Sequence, residues 1–163
     1  TGAITRAGAV TFTNATTLAV TVTLASGSYY VRVENNDGNA GRSANAIITA
    51  STAPVWSTAA GSLGTIAGNF SGTVATVAAT SDSAITYSEV SSPAVLIGSG
   101  SGQANCALNS STGAITTTDF GGSSTAATLY TFTLRATDAE GQTAVRVFTL
   151  QSSFGATGGG QFN

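Results

Sequence analysis

The stretch Gly27-Ser28-Tyr29-Tyr30-Val31-Arg32-Val33-Glu34-Asn35-Asn36-Asp37-Gly38 decides the fold class, because the chain writes it again in kind further on. Tyr29, Val31 and Val33 alternate along one strand that runs into Asp37-Gly38. Tyr130, Phe132 and Leu134 alternate along another that runs into Asp138-Ala139-Glu140-Gly141, and in both copies the Asp stands eight positions after the Tyr. A second strand follows each time, Ile47-Ile48-Thr49 and then Val145-Arg146-Val147-Phe148. Alternation places every second side chain on one face of a pleated strand, and an Asp/Gly turn reverses the chain. The reading is a set of similar antiparallel β modules in tandem, an arrangement used for spacers, stalks and binding platforms.

Working outward, Val10 and Phe12 alternate with threonines, as do Leu18, Val20, Val22 and Leu24, so residues 1–51 read as a small or incomplete β module. About fifty residues is near the size at which a core becomes marginal. The expectation is therefore that strands upstream of Thr1, or strands from a neighbouring chain, complete this module. Ser51-Thr52-Ala53-Pro54 reads as the junction, since Pro54 donates no hydrogen bond and suits a linker or an edge. Residues 52–151 carry strand signals at Val55-Trp56, 63–66, 73–79, 84–90, 94–97, 106–108, 114–117, 128–136 and 143–150, separated by Gly, Ser, Asn and Asp. Many short strands with regular turns predict a fuller antiparallel β-sandwich with Greek-key connections. Residues 152–163, with Gly158-Gly159-Gly160, read as a polar Gly-rich tail.

The 163 residues are 42% hydrophobic but only 7% charged, against roughly 25% in an average soluble protein. Thr, Ser, Asn, Gly and Ala must cover the surface, which suits a chain packed against neighbours in an assembly or facing the extracellular medium. The basic residues Arg6, Arg32, Arg42, Arg135 and Arg146 are scattered and form no stripe for nucleic acid. No apolar run approaches the roughly 18 residues of a membrane span, and no signal peptide is visible. The chain has no Met and begins with Thr1, so it reads as a processed product or part of a longer polypeptide.

The residue inventory removes much catalytic chemistry. Without His there is no Ser-His-Asp or Cys-His site in this chain, and without Lys no Schiff base or P-loop lysine. Gly98-Ser99-Gly100-Ser101-Gly102 mimics a GxSxG string but lacks the strand-to-helix setting and the downstream His, and reads as a flexible loop. Cys106 is single, so no intrachain disulfide forms, and it reads as a small half-buried apolar residue. Tyr29 and Tyr130 are in phase with the core, Trp56 is expected to pack at the junction or in the second sandwich, and Tyr30 lies on the opposite face as the best exposed candidate for glycan contact. Tyr87 completes the aromatic candidates.

The stretch 27–38 resembles the closing hairpin of an IPT/TIG-type immunoglobulin-like domain, and residues 9–50 its second half. Residues 54–151 resemble the cadherin-like or Ig-like modules of bacterial surface and phage virion proteins. The matching pieces are Pro54-Val55-Trp56, Ile85-Thr86-Tyr87-Ser88, Asn109-Ser110-Ser111-Thr112-Gly113-Ala114-Ile115 and Ala136-Thr137-Asp138-Ala139-Glu140-Gly141. The combination is similar to fibre or decoration proteins of marine tailed phages. The resemblance implies tandem immunoglobulin-like β-sandwiches in a non-enzymatic structural or adhesion protein on a virion surface. Its partners would be other virion structural proteins, copies of itself and host cell-surface glycans, contacted through loops such as 98–105 and 119–127. The alternatives are a bacterial cell-surface adhesin or surface-layer module and an accessory carbohydrate-binding module. No cofactor is implied except calcium, for which Asp138 and Glu140 match one short piece of the cadherin-like pattern. The competing reading of Asp138 is a turn cap, and the junction itself carries no acids.

Overall fold

The alternating stretches do form strands, and the computed structural model describes them over residues 4–122 and 126–153. Among these residues every regular element is a β-strand. The chain divides into two compact units, Thr1–Thr52 and Ala53–Asn163.

In the first unit β1 (Ala9–Asn14) and β2 (Thr17–Thr21) form an antiparallel ribbon. Its turn is held by Asn14, whose Oδ1 accepts hydrogen bonds from both the N–H and the hydroxyl of Thr16, each at 3.0 Å. The register pairs Val10 with Val20 and Phe12 with Leu18, putting four larger apolar side chains on one face and the Ala9–Thr21 and Thr11–Ala19 pairs on the other. The expected strand over Tyr29–Val33 is instead two pieces, β3 (Gly27–Tyr29) and β4 (Arg32–Glu34). β4 pairs with β5 (Ala40–Arg42) across the Asn35–Asn39 turn, and β3 pairs with β6 (Ile48–Ala50). The break has a local cause. Ser43 takes over Val31, its Oγ accepting the Val31 N–H at 3.1 Å and its N–H reaching the Val31 carbonyl at 2.8 Å, and Ile47 resumes with its N–H on the Tyr29 carbonyl, so residues 44–46 loop out between them. Asp37 accepts the backbone and side-chain N–H groups of Asn39, and these hydrogen bonds hold its carboxyl below the usual range. Gly38 takes φ +88°, the left-handed conformation this turn needs.

The second unit contains β7 (Val55–Trp56), β8 (Gly61–Ala67), β9 (Gly72–Thr76), β10 (Ala79–Thr80), β11 (Thr86–Glu89), β12 (Cys106–Leu108), β13 (Ala114–Thr117), β14 (Leu129–Thr137) and β15 (Thr143–Ser153). One sheet runs β11-β14-β15-β8, the facing sheet runs β12-β13-β9, and β10 pairs with β7. Between the two larger sheets lie Leu96, Ile115, Phe120, Phe132, Leu134, Phe148 and Leu150, all essentially without solvent contact. Each such side chain is worth about 1.5–3 kcal/mol on burial, so this layer is what holds the unit together. Trp56 is buried in the same core, tilted against Tyr87 and edge-on to Phe148.

Several sequence expectations change here. The ladders are antiparallel except β8–β15, which is parallel. The stretch 73–79 splits into β9 and β10, because the Val77 N–H bonds to Gly113 and that of Ala78 to Thr58 Oγ1, outside any ladder. Residues 94–97 form no strand; only Ile97 makes an isolated bridge, to Cys106. The tail begins later than Ser152, which is fully buried, its N–H on the Thr128 carbonyl and its Oγ accepting the Thr128 N–H. Residues 154–163 lie outside the described residues.

Candidate functional site

Two places gather functional groups, one in each unit. In the second unit the turn between β14 and β15 carries Asp138 and Glu140. The Asp138 carbonyl accepts the Gly141 N–H at 3.1 Å, its N–H reaches the Gln142 carbonyl at 3.0 Å, and its Oδ1 accepts the Gln142 N–H at 2.7 Å. That is a turn cap, built on a buried aspartate. Glu140 accepts the hydroxyl of Ser83, whose oxygen in turn accepts the Ala139 N–H. The loop after β10 is thereby tied to this turn.

Asp82 comes with it. Carboxylate oxygens of Asp82, Asp138 and Glu140 lie within 4.8 Å of one another, with Asp138 buried and the other two exposed. Since Thr80 pairs with Val55, the loop after Thr80 lies at the end of the sandwich where the chain enters this unit. Three carboxylates supply part of the six to eight oxygens that calcium takes, and the donor set is hard oxygen throughout, which fits Ca²⁺ rather than zinc or copper. Sequence reasoning named Asp138 and Glu140 but missed Asp82. No spacing rule links it to them; the signal is the β7–β10 pairing together with Ser83.

In the first unit the second place is the Tyr30 side chain, half exposed, with the Arg42 guanidinium 4.7 Å from its ring centre. Arg32 pairs with Glu34 at 3.2 Å. Tyr30, Arg32 and Arg42 edge a groove of about 840 Å³ whose walls are largely Val20, Val22, Leu24, Tyr29, Val31 and Ile48. Tyr29 lines this groove half-buried, its hydroxyl donating to the Ala25 carbonyl at 2.7 Å.

The remaining aromatic candidates do not join Tyr30. Trp56, Tyr87 and Tyr130 are interior, and the Tyr87 hydroxyl accepts the Ala79 N–H at 3.0 Å. The GxSxG-like string is a turn with no helix. Gln103 organises it, accepting the Gly100 N–H at 2.6 Å and donating to the Ala94 carbonyl at 3.1 Å. A Cβ on Gly98 would stand 2.5 Å from Gln103 Oε1, so the glycines make room for that side chain. Of the second expected contact loop, residues 123–125 lie outside the described residues. Cys106 is buried rather than half-buried, and desolvation pushes its thiol up to about 12.

No protein-family model and no curated protein sequence matches the chain. Solved structures do. The protocadherin gammaB7 EC3-6 cis-dimer structure matches with TM-score 0.52 at 15% identity, covering 83% of this chain and 35% of that one. The protocadherin GammaB4 extracellular domain matches with TM-score 0.51 at 16% identity, covering 88% and 25%. Drosophila N-cadherin EC1-4 matches with TM-score 0.50 at 15% identity, covering 83% and 35%. The likeness is one of fold. This chain spans between 25% and 35% of the length of those three structures. The architecture is all-β and immunoglobulin-like, in tandem, as the repeated hairpin predicted.

Proposed function

We propose that this chain is a non-enzymatic structural and adhesion module of an extracellular assembly. The observation that carries the reading is where the second unit puts its polar groups. Asp138, Glu140, Ser83 and Gln103 tie loops to the ends of a sandwich of cadherin-like fold, and the interior between the sheets is filled by aromatic and aliphatic side chains. That is the construction of a stiff spacer. A division near 51/52 belongs to this reading, with residues 1–51 and the unit that follows, extending through the buried Ser152, as successive modules.

The finer setting we propose is the surface of a virion, as decoration or fibre, with copies of the chain and other structural proteins as partners. Support comes from the charge-poor surface of Thr, Ser and Gly. Exposed loops, and Tyr30 on the first unit, are the surfaces offered to neighbours or glycans. Immunogold electron microscopy with an antibody against residues 52–151 tests this on the source material. Label on particles supports the virion setting and its position separates capsid from tail; label on cell envelopes with bare particles replaces it with a cell-surface adhesin.

A further inference from the structure

Among the described residues of the first unit no side chain is fully buried, whereas the second unit encloses a complete core. Val22, Leu24, Val31 and Ile48, each half-buried, gather instead along the groove beside Tyr30. Its volume of about 840 Å³ falls in the range of roughly 300–1,000 Å³ that small-molecule sites occupy. Such sites set a few polar groups among apolar walls, and those groups choose the ligand.

The polar groups here are cationic. Arg32 and Arg42 stand directly opposite each other in the β4–β5 register, and both line the groove. Like charges directly opposite across a strand pair are destabilising. Glu34 pairs with Arg32, and Asp37 is turned to Asn39. Arg42 lies over the Tyr30 ring, and among the described residues no carboxylate pairs with it. Residues 1–52 hold three of the chain's five arginines against two carboxylates, in a chain of net charge −2. A neutral apolar occupant would cover the walls and leave the two arginines facing each other. An occupant with an apolar body and a carboxylate head satisfies both, since a guanidinium fork takes a carboxylate by two parallel hydrogen bonds. We infer that the groove binds a free single-chain alkyl carboxylate, its head between Arg32 and Arg42 and its chain along Val22, Leu24 and Ile48. This activity goes beyond the structural and adhesion role and does not rest on it.

Isothermal titration calorimetry of the full chain at pH 8 tests it, with decanoate, decyltrimethylammonium and decyl glucoside as probes, each below its micelle-forming concentration. The expected result is saturable binding of decanoate, at least about tenfold tighter than of the other two. Arg42→Gln should weaken decanoate binding by about tenfold, while Arg135→Gln, on the second unit, should leave it unchanged. Trp56 is the only tryptophan and lies in the core of the second unit, so constant tryptophan emission through the titration shows that the probe has not unfolded that unit. Absence of decanoate binding overturns the inference. Equal binding of all three probes reduces it to apolar adsorption and overturns the anionic head. A loss in Arg135→Gln as large as in Arg42→Gln overturns the groove as the site, and a preference for the glucoside overturns the ligand class in favour of glycan contact at Tyr30. None of these outcomes bears on the particle labelling, so the two readings fail separately.

Discussion

The indole N–H of Trp56 reaches the backbone carbonyl of Ala144, 3.3 Å away, tying the first strand of the second unit to the strand that ends it. The same ring stands 5.3 Å from Phe148, edge-on, and 5.8 Å from Tyr87. Trp56 therefore closes one end of the core by packing and by a hydrogen bond together. Trp56→Ala should destabilise the second unit by about 3–5 kcal/mol. Trp56→Phe should cost less, since most of the ring contact survives and one hydrogen bond of about 1 kcal/mol is lost. Urea denaturation followed by circular dichroism checks both, and a loss below about 1 kcal/mol for the alanine variant would contradict the packing described. Trp56 is the only tryptophan, so in the wild-type chain its fluorescence reports this unit alone.

Glu89 offers a second target. Its carboxylate accepts the N–H groups of Val95 at 2.7 Å, Leu96 at 2.9 Å and Ile97 at 2.9 Å. Three consecutive amides are thus satisfied by one side chain, and residues 94–97 belong to no ladder although the sequence reads as a strand. Charge-assisted hydrogen bonds of this sort contribute about 1.5–3 kcal/mol. Glu89→Ala should lower stability by about 2–3 kcal/mol and speed amide exchange at 95–97 specifically. Protection there that is unchanged in the variant would show that the loop is held by other contacts.

These two residues also mark how much of the architecture was readable in advance. Period-2 alternation and Asp/Gly turns are local signals, so the hairpins at 29–50 and 130–150 and the all-β class were legible. Side chains that stand in for a ladder are not. Glu89 takes the N–H groups of residues 95–97, whose Val95 and Leu96 carbonyls accept from Ala104 and Cys106, and Ser43 Oγ takes the Val31 N–H, so these apolar, strand-like sequences are held partly by side chains in place of a full ladder. The candidate cation site was half legible for the same reason. Asp138 and Glu140 share a turn motif, while Asp82 arrives only through the pairing of Thr80 with Val55.

Gly113 should be irreplaceable. It adopts φ +69°, and a Cβ there would run into the carbonyl oxygen of Val77, the residue whose N–H bonds to the Gly113 carbonyl. Gly113→Ala combines left-handed strain with a backbone collision and should cost at least about 2 kcal/mol. Gly141→Ala is the control, since φ is +87° but nothing lies within 4 Å; it should cost only the conformational part, about 1 kcal/mol. Equal melting temperatures for the two variants would refute the steric argument.

Cys106 gives a pH dependence. Burial raises its thiol to about 12, above the ordinary value of 9.0 that the unfolded chain has. The folded form therefore keeps its proton where the unfolded form loses it. The contribution to stability is complete below pH 9 and declines as the pH rises from 9 toward 12. A thiol reagent at pH 8 should leave the native chain unmodified and label it fully in denaturant. Cys106→Ala should flatten the alkaline limb of the stability curve; an unchanged limb would assign the decline to other groups.

The cluster of Asp82, Asp138 and Glu140 separates turn capping from cation binding by experiment. Capping requires Asp138 alone: Asp138→Ala removes the acceptor of the Gln142 N–H and should cost about 1–2 kcal/mol in any buffer, whereas Asp138→Asn keeps a carbonyl oxygen in that position and should cost less. Cation binding requires Asp82 as well, whose Oδ1 accepts the Ser81 hydroxyl at 3.2 Å. If the three carboxylates hold Ca²⁺ at the millimolar affinity typical of extracellular modules, 5 mM CaCl₂ should stabilise the second unit by about 1 kcal/mol. Asp82→Asn should abolish that gain while leaving the calcium-free melt within about 0.5 kcal/mol of wild type. The expected pattern is therefore a calcium-dependent rise lost with Asp82 and a calcium-independent loss with Asp138→Ala. A wild-type melting temperature that does not move in calcium would leave Asp138 as a turn cap and remove the cation from the module.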